Sequence, residues 1–181
     1  MLLAAGVALL LPGLGGVART FAAPAAARTE LSAADLHFAQ EAAGAGAYAV
    51  EAGRLAEQRA THPQIKAFAS MLAKYHAGAN EELAALAHAH GHDLPAGLPP
   101  ARRAAVDALG ALAGEAFDRR FVEQVGIRDH AADIPLFEIA SRSIADPGLR
   151  AWATKTLAAL QEHLAAARQL PLTAEARPPV V

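Results

Sequence analysis

Between residues 65 and 86 the side chains Ile65, Ala69, Leu72, His76, Ala79, Leu83 and Leu86 step by four and three without a break. That spacing lines up on one face of an α-helix and on no single face of a strand. The same stepping recurs at Leu149, Ala153, Thr156, Leu160, His163, Ala167 and Leu170, and again at Glu123, Ile127, His130, Ile134 and Phe137. Such seams leave water only by packing against one another, as in a left-handed helical bundle. Composition agrees: 54% of the chain is hydrophobic but only 5% aromatic, and its apolar residues are mostly alanine and leucine, both strong helix formers.

Start and stop signals divide residues 32–170 into four helical segments. Ser32 with Asp35 opens the first, and Thr61 with Gln64 forms a capping box for the second, with Pro63 in its first turn. Pro99 and Pro100 precede the third, and Asp146 followed by Pro147 caps the fourth. Gly91 ends the second helix, GHDLPAGLPP is the one long loop, and Pro135 should kink the third helix. Short connections within the first and last pairs imply antiparallel neighbours. The expected fold is an all-α, antiparallel up-down-up-down four-helix bundle. Gly44-Ala45-Gly46 weakens the first helix by ~1–2 kcal/mol of propensity. Either a neighbour or ligand approaches there, or Leu36, Phe38, Tyr48, Val50 and Leu55 pack around a thin spot, which is the simpler account.

Residues 1–27 read as a separate segment. Leu2 to Leu11 is apolar, Pro12 and Gly13 interrupt it, and small residues at 22–27 offer cleavage sites. This is a secretory signal pattern and places the protein in the periplasm or another exported compartment. No Lys or Arg precedes the apolar run, so an uncleaved membrane anchor is the alternative. Residues 171–181 read as a disordered tail. A formal charge of −2 and a pI near 6.4 give no basic footprint for nucleic acid. With no cysteine, disulfides, thiolate metal sites and a cysteine nucleophile are all excluded. There is no phosphate-binding glycine loop, and the serines lack a nucleophile elbow.

Each of three seams carries one histidine: His76, His130 and His163. His76 lies 15 residues after Thr61, His130 lies 16 before Asp146, and His163 lies 17 after it. If both turns are at one end of the bundle, the three differ by only ~3 Å in height. Glu51 on the first helix is the candidate fourth member, although its count places it ~8 Å from that level. Imidazole and carboxylate groups on facing helices are how bundles hold zinc, copper or iron. The competing account gives buried histidines a structural role, bonded to carboxylates or carbonyls, and a pH-responsive core is a third. A ligand carrier using the gap at Gly44 to Gly46 is a further alternative. His88, His90 and His92 in AHAHGHD read as helix-terminal residues rather than a metal site, and Asp118 as a salt-bridge partner of Arg54.

The chain resembles the bacterial "domain of unknown function 4142" family over residues 33–170. The resemblance rests on Glu51-Ala-Gly-Arg-Leu55-Ala56, Lys66-Ala-Phe68, and His76-Ala-Gly-Ala-Asn80-Glu81-Glu82-Leu83. It continues through Gly114-Glu-Ala-Phe117-Asp118, His130 and Leu157-Ala-Ala-Leu160-Gln-Glu-His163-Leu164. It implies an exported, ferritin-like helical bundle and no particular activity. Two positions depart from the family pattern: Tyr75 stands where an Asp is usual and Ala158 where a Pro is usual. The paired Glu-x-x-His motifs of di-iron bundles are absent, since Ala73 and Leu160 stand three residues before His76 and His163. From sequence, the first expectation is a non-enzymatic interaction or stress-related envelope module. A metal-binding bundle using His76, His130, His163 and possibly Glu51 is the alternative.

Overall fold

A computed structural model describes residues 30–172. The apolar N-terminal segment and nearly all of the expected tail lie outside the described residues. The helices are α1 (Ala33–Arg59), α2 (Pro63–Ala89), α3 (Pro100–Gly110), α4 (Gly114–Arg120), α5 (His130–Ser143) and α6 (Pro147–Ala167). A π-helical stretch, Phe121–Asp129, joins α4 to α5 in one continuous rod. Among the described residues there is no strand, and no helix is long and apolar enough to cross a membrane.

Local chemistry sets the boundaries. The Asp35 N–H donates to Ser32 Oγ (3.1 Å), and the Leu149 N–H donates to Asp146 Oδ1 (2.7 Å). Each satisfies one of the unpaired donors of a first helical turn. At α2 the cap is His62, whose Nδ1 accepts from the Gln64 N–H at 3.2 Å, rather than Thr61. Thr61 is held from elsewhere. Asp118 accepts from the Thr61 N–H (3.0 Å), the Thr61 hydroxyl (2.6 Å) and the His62 N–H (2.9 Å). Asp118 therefore braces the α1–α2 turn, and the expected pairing with Arg54, which is exposed, is corrected. Gly91 ends α2 with φ 82°, and α5 runs through Pro135 to Ser143.

The connectivity departs from the expected alternation. Thr61 and Asp118 fix the α1–α2 turn beside the start of α4, whereas Asp146 meets His90 at the far end of α2, with His90 Nε2 3.2 Å from Asp146 Oδ2. The α1–α2 and α5–α6 turns thus lie at opposite ends. The chain runs up through α1 and down through α2, returns along α1 in α3, then runs down through the α4–π–α5 rod and up through α6. The third expected segment is two: α3 ends at Gly110, and α4 starts at Gly114 with φ 57°. The Arg59 side chain holds this corner by donating to the carbonyls of Gly110 and Leu112.

The thin spot on α1 is a place of close approach. A methyl group on Gly46 would overlap the Asn80 amide, which donates to the Ala43 carbonyl at 3.1 Å, and Pro99 closes over Gly44. At Gly44 and Gly46 themselves the approaching groups are the protein's own Pro99 and Asn80. Apolar side chains form two clusters. One, at the Thr61 end, includes Ile65, Phe68, Leu72, Phe117, Phe121 and Val125. The other, at the Asp146 end, includes Leu83, Phe137, Leu149, Trp152, Ala153 and Leu160. His76 lies between Leu72 and Leu83, His130 between Val125 and Phe137, and His163 between Leu160 and Ala167. A polar layer therefore separates two dry ones.

Candidate metal centre

His76 on α2, His130 at the start of α5 and His163 on α6 are all buried, at 6, 3 and 5% exposure. Their ring centroids are 5.7 Å (His76–His130), 5.5 Å (His76–His163) and 5.4 Å (His130–His163) apart. One ligand atom from each lies within 4.8 Å of the other two. The α2 and α6 seams place their histidines as the periodicity requires, since most residues of both seams are buried and Ala79, Leu86 and Leu170 are partly so.

The rod carrying His130 is different. Stepping back from His130 by the α-helical period predicts Ile127 and Glu123 on the inner face. Instead Val122, Val125 and Gly126 are buried and Glu123 is exposed. Each π-helical turn holds more residues than an α-helical one, so the inward face shifts along the sequence. The His130 Nδ1–H donates to the Val125 carbonyl five residues earlier, at 2.8 Å. A carbonyl can only accept, which fixes the proton on Nδ1 and leaves the Nε2 lone pair free. The π-helical stretch thus orients the ring as well as setting its register.

All three rings are neutral, each with one N–H and one lone-pair nitrogen. Burial, then repulsion from His130 and His163, lowers the pKa of His76 to about 3. Burial, then His130, lowers that of His163 to about 4. Burial also lowers the pKa of His130, against the opposing pull of the Val125 carbonyl. The neutral imidazole is the form that ligates a cation. His76 Nε2, His130 Nε2 and His163 Nδ1 have no hydrogen-bond partner.

Glu51 does not join the group. Its carboxylate pairs with the Arg103 guanidinium of α3 through two contacts, at 2.5 and 3.0 Å. Bidentate pairing with an arginine satisfies the oxygens outside the histidine layer. At that layer α1 contributes Ala45, Gly46 and Ala49, which line a cavity of about 20 Å³ together with His76 and His130. The carboxylates on the walls of this cavity are those of Asp129 and Asp133 from the rod, and Asp129 Oδ2 is buried without a hydrogen-bond partner. The AHAHGHD cluster is divided, His88 pairing with Asp93 (3.1 Å) and His90 with Asp146.

Two residues at the site were not singled out as functional from sequence. The Tyr75 ring meets His163 edge-on at 4.9 Å and His76 at 5.4 Å. Thr156 lines the same cavity as His76 and His130, and also an outer groove between α2 and α6 with Tyr75 and His163. The available signal was that Thr156 and His163 are the polar members of an otherwise apolar seam.

The fold and site define an all-α protein with a trihistidine cluster sealed between two apolar layers. The chain belongs to the family described as "Domain of unknown function (DUF4142)", which matches residues 20–170. No curated protein and no solved structure matches it.

Proposed function

We propose that this protein binds one transition-metal ion through His76, His130 and His163, in the core of an exported four-helix bundle, for storage, scavenging or buffering of the metal. One observation carries the proposal: three neutral imidazoles from three segments converge with a buried, unpartnered nitrogen on each. A purely structural role leaves those nitrogens unpaired, at ~1–3 kcal/mol each. An ion removes that penalty, which puts metal binding ahead of the interaction-module account. Tetrahedral zinc with bonds of ~2.0–2.1 Å needs ligand nitrogens ~3.4 Å apart. Starting from 4.8 Å or less, each ring closes by only ~1 Å, a shift within reach of small rotamer adjustments. An all-imidazole set suits zinc, copper and iron(II) alike.

The long crossover through α3 supports a ferritin-like arrangement, since bundles of that type have one such connection. The apolar segment at residues 2–11 supports export. Metal analysis of chelator-stripped protein after dialysis against zinc, copper(II) or iron(II) tests the proposal. The expected result is one ion per chain, a melting temperature that rises with metal concentration, and loss of that rise in each of His76→Ala, His130→Ala and His163→Ala. Substoichiometric metal with no thermal response would overturn it and leave an interaction module.

A further inference from the structure

Six buried polar atoms around the histidine layer make no regular hydrogen bond to protein: His76 Nε2, His130 Nε2, His163 Nδ1, Asp129 Oδ2, and the Tyr75 and Thr156 hydroxyls. One ion would satisfy the three nitrogens and leave the Asp129 oxygen and the two hydroxyls. Thr156, only 3% exposed, is two helical turns before His163 on the same face of α6. Its side chain lies on the walls of both the inner cavity, with His76 and His130, and the outer groove, with His163. Tyr75 lines that outer groove together with Thr156 and His163. A three-imidazole ion keeps an open fourth position, and here the first helix supplies small residues rather than a ligand.

Resting on the metal-binding reading above, the geometry points to a fourth position reserved for an exchangeable small ligand, water or a small monoanion. It is held by a hydrogen bond from the Thr156 hydroxyl, which in turn accepts from Tyr75. A hydroxyl has one proton to give and lone pairs to accept with, so Thr156 can serve both neighbours at once. This arrangement satisfies both orphaned hydroxyls and makes the centre a site for ligand exchange, not a closed structural one.

Cobalt(II) and azide test this on the full chain. Stripped protein is loaded with cobalt(II), whose visible spectrum reports its coordination, and azide is then added. A saturable spectral change is expected with wild type. Thr156→Val should keep cobalt(II) affinity within ~3-fold and weaken azide by ~10-fold or more, the loss of one hydrogen bond to a charged ligand. Thr156→Ser should restore azide binding, which a merely structural role for the methyl group would not produce. If Thr156→Val does not fold, the comparison is made between Thr156→Ala and Thr156→Ser. Wild type that binds cobalt(II) but ignores azide overturns the inference alone, as does azide binding indifferent to the Thr156 hydroxyl. Failure of wild type to take up cobalt(II) overturns the metal reading together with it.

Discussion

At the scale of single residues, burial of unpartnered polar groups separates the histidines from ordinary core side chains. His76 occupies a position where α2 otherwise presents Leu72 and Leu83. Replacing it with leucine removes an unsatisfied nitrogen and a buried titratable group while filling much the same volume. In metal-free protein His76→Leu should therefore raise unfolding free energy by ~1–2 kcal/mol, measured by urea titration, while abolishing any response to zinc. A destabilised metal-free variant would show that the ring has a structural partner. Asp118 is the opposite case. It serves three donors of the α1–α2 turn, two of them backbone. Asp118→Ala should lose ~2–4 kcal/mol, because buried donors are left without acceptors; a urea midpoint close to wild type would contradict that role. The histidines were legible in sequence because each breaks an apolar seam. The partner of Asp118 was not, since nothing local in Gly114-Glu-Ala-Phe117-Asp118 indicates a turn 57 residues earlier.

At the scale of elements, α2 and α6 follow their sequence pattern and the rod does not. Seams of regular period predict burial wherever the helix keeps 3.6 residues per turn, and they do so for Ile65 to Leu83, with Ala79 half-buried, and for Leu149 to Ala167. Between Phe121 and Asp129 the period is longer, so the extrapolated inward position at Glu123 is wrong while that at His130 is right. No residue there announces the change; Phe117 and Phe121 above and His130 and Phe137 below must all face inward, and an extra residue within the rod reconciles the two faces. Deleting exposed Glu123 should convert the stretch to ordinary α-helix and leave Val122 and His130, then seven residues apart, on the same inward face. Helix content by circular dichroism and the zinc-induced rise in melting temperature should both be retained. Loss of the zinc response would show that the π-helical geometry itself, and not only the register it sets, positions His130. The first helix carried a comparable ambiguity. Gly44 and Gly46 signalled a close approach, but that Pro99 and Asn80 make it depends on contacts distant in the chain.

At the scale of the molecule, the expected alternation was wrong and the expected layer was right, for one geometric reason. Asp146 meets His90, which is 29 residues beyond Thr61, so the two turns are ~44 Å apart. Measured from the Thr61 end, His76 then lies at ~22 Å, His130 at ~20 Å and His163 at ~18 Å. Residues near the middle of a helix are at nearly the same height whichever end they are counted from. A neutral layer at mid-height also sets how the metal-free protein responds to acid. His76 and His163 have pKa values of about 3 and about 4, and His130 is lowered too, whereas in the unfolded chain all three titrate near 6.5. Below that pH the unfolded chain binds protons that the folded protein refuses, so stability is fully present above 6.5 and falls as pH drops toward 4. Each histidine contributes at most ~1.4 kcal/mol per pH unit. Asp133, raised by burial to about 6, and Asp129, raised for the same first cause, act in the opposite sense below pH 6, because the folded protein holds their protons more tightly. Three histidines outweigh two acids, so urea midpoints of metal-free protein should fall between pH 7 and pH 5. The fall should be steepest near pH 6, where the unfolded histidines are mostly protonated and the acids begin to intervene, and His76→Leu should make it shallower. Bound metal should deepen the acid sensitivity, since three neutral imidazoles are then required at once. A midpoint flat from pH 7 to pH 5 in metal-free protein would mean that the layer is open to water and can be protonated in place.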